Sequence, residues 1–190
     1  MDYKKIFKRM FLLLFSPAKA WEGVEQEEQS INWLADYVYP LMGFCGLALF
    51  LKVIWLTESE TSVFQLAMLA CCKLFVALFG SYFLVAFVAK KLLVRFGKAA
   101  CKTVIHLSAI VGYGMTPIFL GTFVAILLPH EWFFCALGIQ CYTLYVLSVG
   151  IKRWFDAGVV VEFLITSFLS ILMIGSPFLI SFVFEKLMNG

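Results

Sequence analysis

Residues 62–89 read SVFQLAMLACCKLFVALFGSYFLVAFVA, an unbroken run of 28 residues in which Lys73 is the only charged side chain. At about 1.5 Å of rise per residue, a helix of this length exceeds the roughly 30 Å hydrocarbon core of a bilayer. The run is continuously apolar rather than alternating, so it does not describe a strand of a membrane barrel. A helix pairs every backbone polar group within its own segment, which is what lipid demands. Four further stretches carry the same signature: Ile31–Leu56, Thr103–Leu128, Trp132–Ile151 and Val159–Phe184. The connections are short, at Thr57–Thr61, Lys90–Lys102, Pro129–Glu131 and Lys152–Gly158. Composition agrees, with 63% hydrophobic and 14% charged residues in a chain of 190, against about 45–50% and about 25% in soluble domains. One soluble core of this length cannot hide so much apolar surface. A soluble enzyme, a disordered chain, a collagen-like fibre and a nucleic-acid-binding domain are therefore excluded, and the bilayer is the first partner. The expected fold is an all-α integral membrane protein. A five-transmembrane-helix bundle occupies residues 31–190, and a cytosolic lead of amphipathic helices occupies residues 1–30.

The lead contains Lys4, Lys5, Lys8, Arg9 and Lys19, the second connection Lys90, Lys91, Arg95, Lys98 and Lys102, and the fourth Lys152 and Arg153. The opposite side holds Lys186 with Glu58 and Glu60. With five spans, all three basic clusters share one side, which the positive-inside rule makes cytosolic. Within the lead, Tyr3, Ile6, Phe7, Met10, Phe11 and Leu14 recur at helical spacing opposite Lys4, Lys5, Lys8 and Arg9. This is the pattern of an amphipathic helix at the membrane surface, its cations against anionic headgroups. A helix packed on the other spans is the plainer alternative. A cleaved secretory signal fits poorly: its apolar part, Met10–Phe15, is short of the usual 7–15 residues, and cleavage would invert every later basic loop. Ser16-Pro17 reads as a helix stop and restart.

Candidate chemistry is sparse. Cys45, Cys71, Cys72, Cys101, Cys135 and Cys141 form no CxxC pair, and His106 and His130 stand at no metal spacing. The cysteines read as packing residues. No nucleophile–base pair, paired carboxylates or phosphate loop is present, so the expectation is a non-enzymatic protein with no catalytic residue, no metal and no cofactor. Glu22, Glu25, Glu27 and Glu28 read as a solvated helix face. Lys73 stands about 16 Å into the second span at helical rise, with no acidic residue expected at its depth. It either snorkels or lines a polar cavity. Pro40, Pro117 and Pro177 fall within the first, third and fifth spans, where proline removes a helix hydrogen bond. Gly112-Tyr113-Gly114-Met115-Thr116-Pro117 makes the third span the most irregular. Broken helices of this kind build transporter sites and also close helix packing. Tyr113, Thr116, Gln140, Tyr142 and Tyr145 are expected to form a polar seam between the third and fourth spans. The candidate interior is Asp36, Tyr39, Pro40, Lys73, Tyr113, Thr116, Pro117 and Gln140.

The lead Ser16-Pro17-Ala18-Lys19-Ala20-Trp21, the motif Asp36-Tyr37-Val38-Tyr39-Pro40 and the motif Gly112–Pro117 together resemble the Yip (Ypt-interacting protein) domain family, in particular its short bacterial members. The eukaryotic family carries aspartate–leucine–tyrosine–glycine–proline in the first span. Asp36 and Pro40 keep their places, while Tyr37 and Tyr39 replace the leucine and glycine around Val38. Tyr113 and Pro117 keep the tyrosine–proline motif of the third span. Eukaryotic members associate with Rab-type GTPases in vesicle traffic and usually have a longer soluble N-terminal region. The resemblance implies a multi-pass protein of a bacterial inner membrane that organises protein partners, further copies of itself or lipids. A small transporter or channel for an ion, solute or lipid is the alternative.

Reporter fusions after Gly97 and after Gly190 are expected to report opposite sides, cytosolic and external respectively. Matching signals would mean an even number of spans.

Overall fold

The computed structural model describes residues 3–26, 34–57, 62–96, 103–129, 133–154 and 158–189. Glu27, Glu28, Glu58, Glu60, Lys98, Cys101, Lys102 and His130 lie outside the described residues. All described elements are helical. The lead forms α1 (Tyr3–Phe15) and α2 (Pro17–Gln26), parted at Ser16 as the Ser-Pro signal predicts. A π-helical turn, Leu34–Val38, opens α3 (Tyr39–Leu56), and α4 runs Val63–Phe96. The third span is split into α5 (Thr103–Gly114) and α6 (Thr116–Leu127), and the fourth into α7 (Phe133–Cys141) and α8 (Thr143–Trp154). The last helix, α9, runs Val159–Asn189.

Among the described residues, five helical stretches are long and apolar enough to cross a membrane: Leu34–Leu56, Val63–Leu92, Ala109–Leu127, Phe134–Arg153 and Val159–Leu187. The third is the axis of the bundle. Its apolar window is 67% buried by the rest of the protein, against 33–39% for the other four. Every residue from 109 to 119 is buried. The outer helices present Trp55, Phe64, Phe87, Phe163 and Phe182 to their surroundings, an apolar exterior that only lipid solvates well. Where α7 crosses α6, a Cβ at Gly121 would stand 2.5 Å from the Gln140 side chain and 2.8 Å from the Ala136 carbonyl. The missing side chain lets the two backbones approach, as in other membrane helix pairs.

The break in the third span falls where the sequence is weakest. Pro117 has no N–H for the Tyr113 carbonyl four residues back, and its ring crowds that carbonyl. The chain turns at Met115 (φ −79°, ψ −8°), and Pro117 then sits in the first turn of α6. Pro40 likewise occupies the first turn of α3, where its missing N–H costs no helix bond. The break at Tyr142 has no such cause: neither Gly nor Pro adjoins it, and it is visible only as a tight turn closed by Tyr142 N–H on the Ile139 carbonyl at 3.2 Å.

The lead is docked at three points, two on α8 and one on the turn that precedes it. The Trp21 indole N–H donates to the Val146 carbonyl at 3.2 Å. The Tyr142 hydroxyl donates to the Leu14 carbonyl at 2.7 Å, satisfying one of the orphan carbonyls that end α1. Arg153 pairs with Glu22 at 3.3 Å, so Glu22 is not simply a solvated face residue. Ile6, Met10, Leu13, Ala20 and Trp21 belong to the same buried cluster as the spans. Trp21 fits because Gly150 has no side chain: a Cβ there would lie 2.6 Å from the indole ring. Gly150→Val is expected to push Trp21 off α8 and to cost about 1–3 kcal/mol, as overpacking does. Thermal unfolding in detergent, with Trp21 fluorescence as the local probe, measures it. An unshifted transition with unchanged emission would contradict this docking.

Candidate functional site

The proline motifs of the first and third spans meet at the bundle axis. Tyr37, from the π-helical turn, is buried and lies edge-on to the Tyr113 ring at 5.1 Å and 77°. Tyr113 in turn lies edge-on to Trp21 at 5.4 Å and 88°. Both arrangements are favoured by the ring quadrupoles. Three rings from the lead, the first span and the third span thus form one column. The Thr116 hydroxyl donates to the Gly112 carbonyl at 3.4 Å. The Thr116 Oγ1 also shares a hydrogen bond with the Tyr37 hydroxyl at 2.9 Å, in which either hydroxyl can donate. Beside the column the Cys45 thiol donates to the Phe119 carbonyl at 3.3 Å, joining α3 to α6.

Of the candidate interior residues, Pro40, Tyr113, Thr116, Pro117 and Gln140 are buried. Asp36 is exposed at the start of the first span. Tyr39 is 40% exposed and lies against Phe79 of α4 at 5.3 Å, outside the interior. Tyr37, a residue absent from the expected interior, takes that position instead. The π-helical turn is the reason, since one extra residue in a turn rotates the residues after it by about 100°. The expected seam of Tyr113, Thr116, Gln140, Tyr142 and Tyr145 is also divided. Tyr142 reaches α1, and Tyr145 is exposed against it, with ring centroids 5.4 Å apart.

Lys73 has an acidic partner, contrary to the expectation from sequence. Its Nζ lies 3.0 Å from Glu185 Oε2 of α9, with both side chains partly exposed. The helices α4 and α9 run antiparallel here, with Gly80 against Ile180 one end of the contact and Lys73 against Glu185 the other. The apolar run ends at Phe184, but the helix continues to Asn189 and carries Glu185 alongside. Lys73, Gln140, Thr122, Pro177 and Ser181 line a cavity of about 280 Å³. Gln140 is buried, and its Oε1 has no hydrogen-bond partner among the described residues. Tyr113 lines a different cavity of about 260 Å³, with Lys5, Lys8 and Arg9 of α1 and Ala20 and Gly23 of α2. Lys4 is exposed on α1 and is not among the residues lining it.

The five cysteines among the described residues are free thiols. Among those residues no group of three His, Cys, Asp or Glu side chains is gathered to hold a metal ion.

The Tyr37–Thr116 bond yields an asymmetric expectation. Tyr37→Phe leaves Thr116 its bond to Gly112 and should cost about 1 kcal/mol. Thr116→Val buries the Tyr37 hydroxyl without a partner and should cost about 1–3 kcal/mol. Denaturant titration in mixed micelles ranks the two. The reverse order would mean that the hydroxyls do not share this bond.

No curated protein and no solved structure matches the chain. The sequence model of the Yip1 domain matches residues 11–180, from the middle of α1 to the last third of α9. The match covers most of the chain and takes in the docked Trp21, the turn bearing Tyr37 and the broken third span. The chain belongs to the Yip1 domain family, as a multi-pass membrane protein.

Proposed function

We propose that the chain is a non-enzymatic membrane protein that organises membrane-protein partners, further copies of itself or lipids. Its place is a bacterial inner membrane, with the N-terminus cytosolic and the C-terminus outside. The observation that carries this reading is the filling of the third span at its break. Tyr113 and Thr122 lie on different cavities, and Thr116, Pro117, Ile118, Phe119 and Gly121 between them are buried. A binding site built on a broken helix needs an opening at the break. Here Thr116 to Phe119 are covered, with Tyr37 against Thr116, and the cavity beside α1 meets the third span at Tyr113 alone among its described lining. The weakness of the helix is spent on close packing, which suits a rigid body that presents its outer surfaces to partners.

Transport is the second reading, favoured by one observation: the unpartnered Gln140 Oε1 in a part-polar cavity with Lys73. A buried amide oxygen without a partner invites water or a solute group. Proton and potassium flux into vesicles reconstituted with the full chain separates the two. The scaffold reading expects flux no greater than in empty vesicles, unchanged by Lys73→Ala or Tyr113→Phe. Flux that the protein confers and Lys73→Ala removes would establish the second reading.

A further inference from the structure

We infer that the cavity between α4, α6, α7 and α9 is a binding site, reached from the bilayer, for a neutral single-chain amphiphile whose hydroxyl donates to the Gln140 side chain. The inference goes beyond the proposed function, because it needs neither passage through the bundle nor a protein partner.

Lys73, Thr122, Gln140 and Ser181 line the cavity and come from four different helices. They stand at similar depth. Lys73 and Gln140 follow the starts of α4 and α7, and Thr122 and Ser181 precede the ends of α6 and α9, each by about 8–15 Å at helical rise. The cavity therefore lies within the hydrocarbon layer, and its ligand arrives through lipid. Its lining runs from Ala77, Leu78 and Gln140, all buried, to Phe178, which is 48% exposed on the outer surface.

Gln140 defines what the cavity recognises. It is 6% exposed, and its Oε1 has no hydrogen-bond partner among the described residues. A buried amide oxygen without a donor is costly in an apolar interior, and a ligand hydroxyl supplies that donor. The side chain is held in place by its own stem, because a Cβ at Gly121 would stand 2.5 Å from the Gln140 Cγ. Charge sets the rest of the class. Lys73 is the one charged residue among the described lining, and Glu185, one turn beyond Ser181, already answers it at 3.0 Å. A charged ligand would have to compete with that pair, whereas a neutral one leaves it intact.

Size limits the body of the ligand. Ala70 and Ala77 leave room along α4, and at Gly80 the helix closes on Ile180, where a Cβ would lie 2.9 Å from the Ile180 Cδ1. The cavity of about 280 Å³ holds about nine groups at the roughly 30 Å³ that a water molecule takes in the liquid. That is the heavy-atom count of an eight-carbon alcohol, and it falls short of a two-chain lipid.

The test uses the full-length chain in phosphatidylcholine vesicles, with a diazirine-bearing octanol as photoreactive probe. Labelled residues are located by peptide mass spectrometry. Four competitors are compared at equal membrane concentration: 1-octanol, its isomer heptyl methyl ether, dioctanoylglycerol and, at alkaline pH, octanoate. The expected result is saturable labelling of residues 70–78 and 177–181. It should be displaced by 1-octanol, about fivefold less well by the ether, which has no donor, and less well by dioctanoylglycerol and octanoate. Gln140→Met keeps a stem against Gly121 and should remove the advantage of alcohol over ether. Ala70→Leu narrows the cavity from a partly buried position, leaves Gln140 in place and should abolish saturable labelling. Labelling that rises with probe and never saturates would overturn the site and leave the Gln140 amide to water. An advantage of alcohol over ether that is absent, or that survives Gln140→Met, would overturn Gln140 as the recognising group. Stronger displacement by octanoate than by octanol would overturn the neutral class, and stronger displacement by dioctanoylglycerol would make a two-chain lipid the ligand. Labelling and flux are read separately, so a chain that confers no flux still decides the binding site.

Discussion

The missing N–H of Pro117 is the constraint on which the rest of the bundle depends. Lipid offers backbone polar groups no partners, and Pro117, which has no N–H and crowds the carbonyl four residues back, interrupts the helix ladder at this point. α9 also carries a proline within it, Pro177, and is one of the two least buried spans; the third span is the one whose break is covered. It is placed at the axis, where its neighbours bury it. The side chains at the break then do two things. Thr116 sets its hydroxyl between the Gly112 carbonyl and the Tyr37 hydroxyl, which ties the third span to the first. Tyr113 turns its ring between Tyr37 and Trp21, which ties both spans to the lead.

The lead therefore has a structural duty as well as an electrostatic one. Its buried row, Ile6, Met10 and Leu13, lies in the core of the bundle. Its exposed row, Phe7, Phe11 and Phe15, does not. A single apolar face read from the sequence is two rows in the structure, one buried in the bundle and one largely exposed, with Phe7 against Phe44 of α3 at 5.5 Å. Surface placement and packing are then compatible rather than rival accounts of α1. A helix held by Trp21 on Val146 and by Tyr142 on Leu14 keeps its cations in fixed positions, which a freely sliding amphipathic helix would not.

The spans were legible because hydropathy and length are local properties, and lipid leaves helix as the one form such runs can take. The break at Met115 was legible for the same reason: two glycines and a proline announce it within six residues. Three other features were not. Tyr37 rather than Tyr39 faces the axis because a π-helical turn shifts the register, and no residue in Leu34–Val38 announces that turn. Glu185 reaches Lys73 because a helix does not stop where its apolar run stops. Trp21 finds Gly150 across the chain, and only the fold brings them together. In each case the missing information is a tertiary contact, and hydropathy carries none.

Two cavities border the broken helix at different heights. One is basic, opens beside α1 and has Tyr113 as its floor. The other is mostly apolar, lies between α4, α6, α7 and α9, and has Lys73 and Gln140 on its wall. Tyr113 and Thr122 are nine residues apart along the third span, about 13 Å at helical rise. Between the two cavities Ile118 and Phe119 are buried and a Cβ at Gly121 would meet the Gln140 side chain. Opening this stretch would break the Tyr37–Thr116 bond and part the ring column, and the lead would have to leave α8 to let Trp21 move. Cores packed this densely change by discrete steps rather than by gradual yielding. The economical reading is that the seam holds the two ends apart.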